Sequence, residues 1–234
     1  MILALALAAV SAAARSAHAQ SFTEGFNNVS MLTGDDWVLQ NLSAPLGTSG
    51  WYQGQTDQFT TFMGPANSFI SADFQNGSGI ATISNWLISP QRTFSDGDTI
   101  SFFTRTDIGP VAFPDRLQLR LSRSGASTDV GATSTSWNDF DELLLDINPD
   151  YLTGGPNSYP TSWMQFEVTL SGLGLPTPGR FAFRYFVENG GPAGTRSNVI
   201  GIDTVVYTAV PEPSTLGLLA MAVPFIGRRR RHRR

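Results

Sequence analysis

Between residues 21 and 208 the apolar side chains fall into short runs, and several of these runs repeat every second residue. Leu117, Leu119 and Leu121 alternate with Gln118, Arg120 and Ser122, which puts the leucines on one face of an extended chain. Phe181, Phe183 and Tyr185 alternate in the same way with Ala182, Arg184 and Phe186. Runs of this kind predict strands over 68–71, 80–89, 99–104, 116–123, 164–170, 180–187 and 199–207. Turn formers punctuate them, among them Asn76-Gly77, Asp96-Gly97, Gly154-Gly155 and Asn189-Gly190-Gly191. Many short strands with dense turns predict an all-β, antiparallel sandwich or barrel. The stretch 122–139 and the stretch 148–162 read as loops. One segment stays open on periodicity alone. Phe140, Leu143, Leu144 and Ile147 have helical spacing, with Asp139 placed to cap, yet the same letters suit a buried strand ending at Asn148-Pro149.

The two ends read differently from the middle. Residues 1–19 hold an apolar run followed by Ala17-His18-Ala19, the small-residue pattern of a secretory cleavage point, so Gln20 is the expected mature N-terminus. No positive charge precedes that run. At the other end an apolar segment, 216–226, precedes a basic tail, 228–234. Such a segment enters a membrane with its arginines on the cytoplasmic side, so the body lies across the membrane from them. Both apolar runs are short for a permanent span, which needs about 20 residues. Nucleic-acid binding competes for the basic tail, but such tails do not usually follow an apolar stretch. Pro211-Glu212-Pro213, then the apolar segment, then the arginine cluster resembles the PEP-CTERM sorting signal. The resemblance implies an exosortase as processing partner, cleavage near Pro211-Glu212-Pro213, and export to the cell surface or medium of a Gram-negative, exopolysaccharide-making bacterium. The chain thus divides into a signal peptide (1–19), a body (20–209) and a sorting signal (210–234).

Composition narrows the chemistry of the body. The chain has 234 residues, no cysteine, no lysine, and histidine only at His18 and His232. A body without His, Cys or Lys excludes thiol chemistry, Schiff bases, histidine general bases, disulfides and His/Cys metal cages. Without Arg15, Glu212 and the six tail arginines it keeps 8 basic and 18 acidic groups, net −10. That charge disfavours nucleic acid and anionic membrane surfaces.

A second resemblance covers nearly all of the body. Thr23-Glu24-Gly25-Phe26, Gly50-Trp51, Asn85-Trp86-Leu87-Ile88-Ser89-Pro90, the 115–122 run, Phe181-Ala182-Phe183-Arg184-Tyr185 and Ile200-Gly201-Ile202-Asp203-Thr204-Val205 follow in this order. The set is similar to the choice-of-anchor J domain, related to cleaved-adhesin and MAM-like jelly rolls. It implies a jelly-roll β-sandwich and favours a strand for the open 137–148 segment. It also implies a structural calcium where the first strand meets the last, at Glu24 and Asp203. An apolar strand makes an unpaired Asp203 costly, and either a cation or an arginine such as Arg184 offsets that cost. Sugar rings stack on aromatics, and Trp137 and Trp163 flank polar segments, which makes them the candidate ligand platforms. Asp139, Asp141, Glu142 and Asp146 form the densest acidic cluster, the raw material for a glycoside hydrolase. Arg105, Arg116, Arg120, Arg123 and Arg184 are expected to pair with carboxylates. The reading is an exported, non-catalytic, adhesin-like surface or matrix protein that binds polysaccharide or a surface protein. A lectin-like hydrolase and a purely structural matrix protein are its alternatives.

Overall fold

A computed structural model describes residues 21–107 and 113–211. The expected signal peptide and the apolar segment 216–226 lie outside the described residues. Among the described residues no helix is long and apolar enough to cross a membrane.

The body is an antiparallel β-sandwich of two sheets. The seven-stranded sheet is built on two long strands, β6 (Gly77–Ile88) and β12 (Thr177–Gly190). Around them lie β2 (Val38–Asn41), β9 (Leu117–Ser122) and β10 (Glu142–Ile147), in the order β10-β9-β12-β6-β2. Short strands β3 (Ala44–Leu46) and β7 (Arg92–Phe94) pair with β6 and β12. The six-stranded sheet has the order β11-β8-β13-β5-β4, from Met164–Thr169, Thr99–Thr106, Val199–Thr208, Ile70–Asp73 and Tyr52–Gln53. β1 (Phe22–Glu24) adds to β13. The open segment 137–148 resolves as a strand from Glu142. Its bulge between Leu143 and Leu145 breaks the two-residue period and gives the leucines their helix-like spacing.

The core lies between the sheets. Phe181, Phe183, Tyr185 and Val187 of β12 meet Ile100 and Phe102 of β8 and Ile200, Ile202, Val205 and Tyr207 of β13. Rings carry much of the contact: Phe102 packs edge-on against Phe183 at 4.7 Å, and Trp37 packs edge-on against Phe22 and Phe181.

The outer faces are buried as well, by loops. Over the seven-stranded sheet, Val130 and Phe140 of the 123–141 segment pack on Trp86, Ile88 and Ala182. Over the six-stranded sheet, Phe59 and Trp163 lie on β13 at Gly201. A Cβ at residue 201 would sit 2.6 Å from the Phe59 ring and 2.9 Å from the Trp163 ring, so this covering layer requires glycine there. Gly201→Ala therefore overpacks the layer. It is expected to lower unfolding free energy by about 1–3 kcal/mol in urea titration, whereas Gly154→Ala, with open space at its Cβ, changes it far less.

Candidate functional site

The pairing of β1 with β13 brings both ends of the body to one sheet edge. Phe22 faces Tyr207 in the register, and the Ala209 amide donates to Ser21 Oγ at 3.0 Å. Asp98, fully buried, fixes the exit of the chain. Its carboxylate accepts from the Val210 amide at 2.8 Å, the Tyr207 hydroxyl at 2.6 Å and the Ser95 amide at 2.7 Å. Val210 is thus the last clamped residue, and Pro211 follows it directly.

Glu24 and Asp203 stand on the paired strands β1 and β13 but on opposite faces of the sheet. Glu24 pairs with Val205, a core residue, and its Oε1 accepts from the Phe26 amide. Burial raises its pKa, with Asp35 as the neighbouring charge that adds to the shift. Asp203 pairs with Phe103 on the outer face. Between the two positions Thr204 takes φ 49° at a register shift, and that extra residue inverts the alternation. Asp203 Oδ2 accepts from the Thr61 hydroxyl at 2.8 Å and from the Phe62 and Met63 amides at 2.8 and 3.1 Å. Thr204 donates to Oδ1. Calcium wants six to eight oxygen ligands. An oxygen facing three donors does not fit that role, and among the described residues no group of three or more His, Cys, Asp or Glu could hold a metal. The arginine alternative also fails, because Arg184 belongs to the other sheet.

Two of the five arginines expected to meet carboxylates do so. Arg116 holds Asp146 through two hydrogen bonds of 2.9 and 2.6 Å, and Arg123 holds Glu142. The other three bind carbonyls and rings. Arg105 donates to the Thr161 carbonyl and lies over Phe59. Arg120 donates to the Phe140 carbonyl and lies under Trp137. Arg184 is 1% exposed. It donates to Ser84 Oγ at 3.0 Å and to the Ser134 carbonyl at 2.6 Å, between the rings of Trp86 and Phe186. Burial first, then the charges of Arg120 and Arg116, push its pKa down to about 9.

Three of the four acids of the cluster are engaged, and the fourth, Asp141, is exposed beside Asp139 and Glu142 in a shallow concavity. Asp146 and Glu142 are tied to arginines, and Asp139 accepts from the Ser127 hydroxyl. The tryptophans differ. Trp137 is 46% exposed, with Arg120 behind it. Trp163 is half-buried, donates Nε1–H to the Thr60 carbonyl at 2.8 Å, and packs edge-on against Phe59 and Phe69. Its ring is part of the covering layer.

A feature without a period in the sequence is a cleft of about 410 Å³ where the 148–162 loop meets the ends of β8 and β11. Three exposed large apolar side chains, Phe113, Leu152 and Met164, converge on it. Tyr159, Asn198 and Asp115 line it too. Asp115 is fully buried and accepts from Tyr185 Oη at 2.6 Å, Thr106 Oγ1 at 2.6 Å and the Asn198 amide at 2.8 Å. Burial outweighs these donors and pushes its pKa up to about 6. Asp146 and Glu24 stand out in the sequence as acids; Asp115 only opens the 115–122 run, and nothing in its neighbours marks it as buried.

Residues 209–234 match the PEP-CTERM protein-sorting motif, which marks the chain for export through a membrane-anchored sorting signal. The fold is that of cleaved adhesin domains. The K1 domain of Lys-gingipain from Porphyromonas gingivalis superposes with a TM-score of 0.52 at 19% identity, over 82% of this chain and 99% of that one. The K2 domain of Lys-gingipain gives 0.51 at 17% identity, over 81% and 98%. The K3 domain from the same organism as K1 gives 0.50 at 16% identity, over 80% and 98%. No match is found among curated proteins. The chain is an exported β-sandwich that carries a PEP-CTERM sorting motif.

The raised pKa of Asp115 sets a pH dependence. The native state holds this proton more tightly than the unfolded chain, whose value is near 3.8. The stabilisation is therefore complete below pH 4 and is lost as pH rises through about 6. Asp115→Asn removes the titration. Between pH 4 and 7 the wild type is expected to lose about 1–3 kcal/mol relative to this variant in paired urea titrations.

Proposed function

We propose that the exported body is a non-catalytic binding module of the cell surface or matrix, and that its ligand is a polysaccharide seated in the cleft beside the 148–162 loop. The observation that carries this reading is the convergence of Phe113, Leu152 and Met164 on one concavity. Exposed apolar side chains gathered around a cleft mark a recognition site. Hydroxyls of Ser158, Thr161 and Ser162 line the same cleft, a mixture suited to the apolar and hydroxyl faces of a sugar. Sandwich loops serve this role because the sheets hold them rigid. Arg116 and Arg123 hold Asp146 and Glu142 as carboxylates, which argues against either being the protonated acid that a hydrolase needs about 5–10 Å from its second carboxylate. An exosortase is the processing partner this reading requires, acting at Pro211-Glu212-Pro213.

Glycan-array binding of the full chain tests the cleft. Phe113→Ala with Leu152→Ala is expected to reduce retention at least tenfold while leaving the melting temperature within a few degrees, because both side chains are exposed. Silence of the wild type on all glycans would favour a matrix protein without a ligand. Replacing Pro211-Glu212-Pro213 by three alanines is expected to leave the protein in the inner membrane of its host, read by fractionation.

A further inference from the structure

β11 (Met164–Thr169) ends the six-stranded sheet, and β8 is its only strand partner among the described residues. Open edges invite pairing, and proteins usually blunt them with bulges, prolines, charges or shortness. The other sheet ends follow that rule. β4 has two residues, β2 has four, and β10 carries a bulge and two arginine-held acids. β11 keeps an unbroken six-residue register with β8, contains no proline, and has one charge, Glu167. Gln165, Glu167 and Thr169 are exposed, whereas Phe166 and Val168 are half-buried against the core.

The hydrogen bonding fixes which groups are free. The Leu170 amide donates to the Asp98 carbonyl in the same register as Met164 with Thr104. Even-numbered residues of β11 therefore bond to β8, and the backbone groups of Gln165 and Glu167 point away from the sheet.

A second copy of the strand complements this edge. In an antiparallel pair about a two-fold axis, facing residues share a side of the sheet, so the axis passes through one residue position. Centred on Glu167, the pair would oppose two carboxylates. Centred on Phe166, it sets Phe166 against the partner's Phe166, Met164 against the partner's Val168, and Gln165 against the partner's Glu167, each of the last two contacts occurring twice. Apolar side chains then meet on the core side and an amide meets a carboxylate on the outer side. Gln165 and Glu167 exchange four backbone hydrogen bonds with the partner.

We propose that β11 is a self-pairing edge through which two copies of this chain join, antiparallel and centred on Phe166. The contact is small for a free dimer and gains strength where copies are crowded on one surface. It does not rest on the ligand assigned to the cleft.

Sedimentation equilibrium of the full chain in mild detergent tests the register, with the same C-terminal segment in every sample. Gln165→Glu places a carboxylate against the partner's Glu167 twice and is expected to weaken self-association about fivefold. Gln165→Lys places an ammonium there and is expected to tighten it. In the Glu167-centred register Gln165 faces the partner's Thr169, so charges placed at 165 and at 169 shift self-association to the same extent. Opposite shifts at Gln165 that exceed those of Thr169→Glu and Thr169→Lys, with unchanged melting temperatures, support the proposal. Shifts no larger than those at Thr169, or a wild type that stays monomeric at its solubility limit, overturn it.

Discussion

Two buried charges hold the outer layers of this sandwich, and they do so with opposite chemistry. Arg184 lies on the outer face of the seven-stranded sheet and collects the Ser134 carbonyl and Ser84 Oγ between two rings. Asp203 lies on the outer face of the six-stranded sheet and collects the Phe62 and Met63 amides and the Thr61 hydroxyl. A guanidinium has only donors and a carboxylate only acceptors, so each can bind a loop backbone through the groups the sheet itself leaves free. Lifting either loop would strand a desolvated charge, which is far more costly than losing a neutral contact. Both covering layers are therefore fixed parts of the fold and close the parts of the sheet faces beneath them. The cleft and the open strand β11 lie instead at an end and an edge of the sandwich.

Arg184 itself has no carboxylate in hydrogen-bond reach among the described residues, whereas Arg180, on the same face of β12, holds Asp36. The one carboxylate within its field, Asp146, is held by both forks of Arg116. Arg120 and Arg184 repel each other, and each lowers its energy through carbonyl dipoles and ring faces instead. The downward shift of Arg184 is the electrostatic record of that arrangement. A pKa near 9 still leaves the group charged in neutral medium, so the cation persists where it is most costly to hold.

The long strands could be read directly because six or more residues suffice to show a two-residue period. Predicted strands at 80–89, 99–104, 116–123, 164–170 and 199–207 coincide with β6, β8, β9, β11 and β13 to within a few residues at each end. β1, β2, β3, β4 and β7 have two to four residues, too few to display a period, and of the four-residue strands only β5 overlaps a predicted run, 68–71. The pairing of Glu24 with Asp203 departs from the sequence reading for a different reason. A bulge at Thr204 changes face without any marker in the letters, and it separates Glu24 from Asp203. Charge alone pairs arginine with carboxylate, and Arg116 and Arg123 follow it, whereas Arg120 and Arg184 donate to the loop carbonyls of Phe140 and Ser134. Trp163 shows the same limit: flanking polar residues suggest exposure, while Gly201 makes room beneath the ring. The cleft draws on residues from 106 to 198, and no local pattern spans that distance.

The order of elements along the chain ties folding to sorting. β13 is the last strand of the body, yet it sits inside its sheet and bonds to β1, β5 and β8. Until residues 199–208 are present, the six-stranded sheet lacks the strand that joins its two halves. The sorting motif begins at residue 209, where the last strand ends. Asp98 clamps Val210, so the first residues of the motif are still part of the folded body. A chain cut short before β13 therefore loses its fold and its address together. Only a polypeptide long enough to complete the sheet can carry the motif, because the strand that closes the core immediately precedes it in the chain.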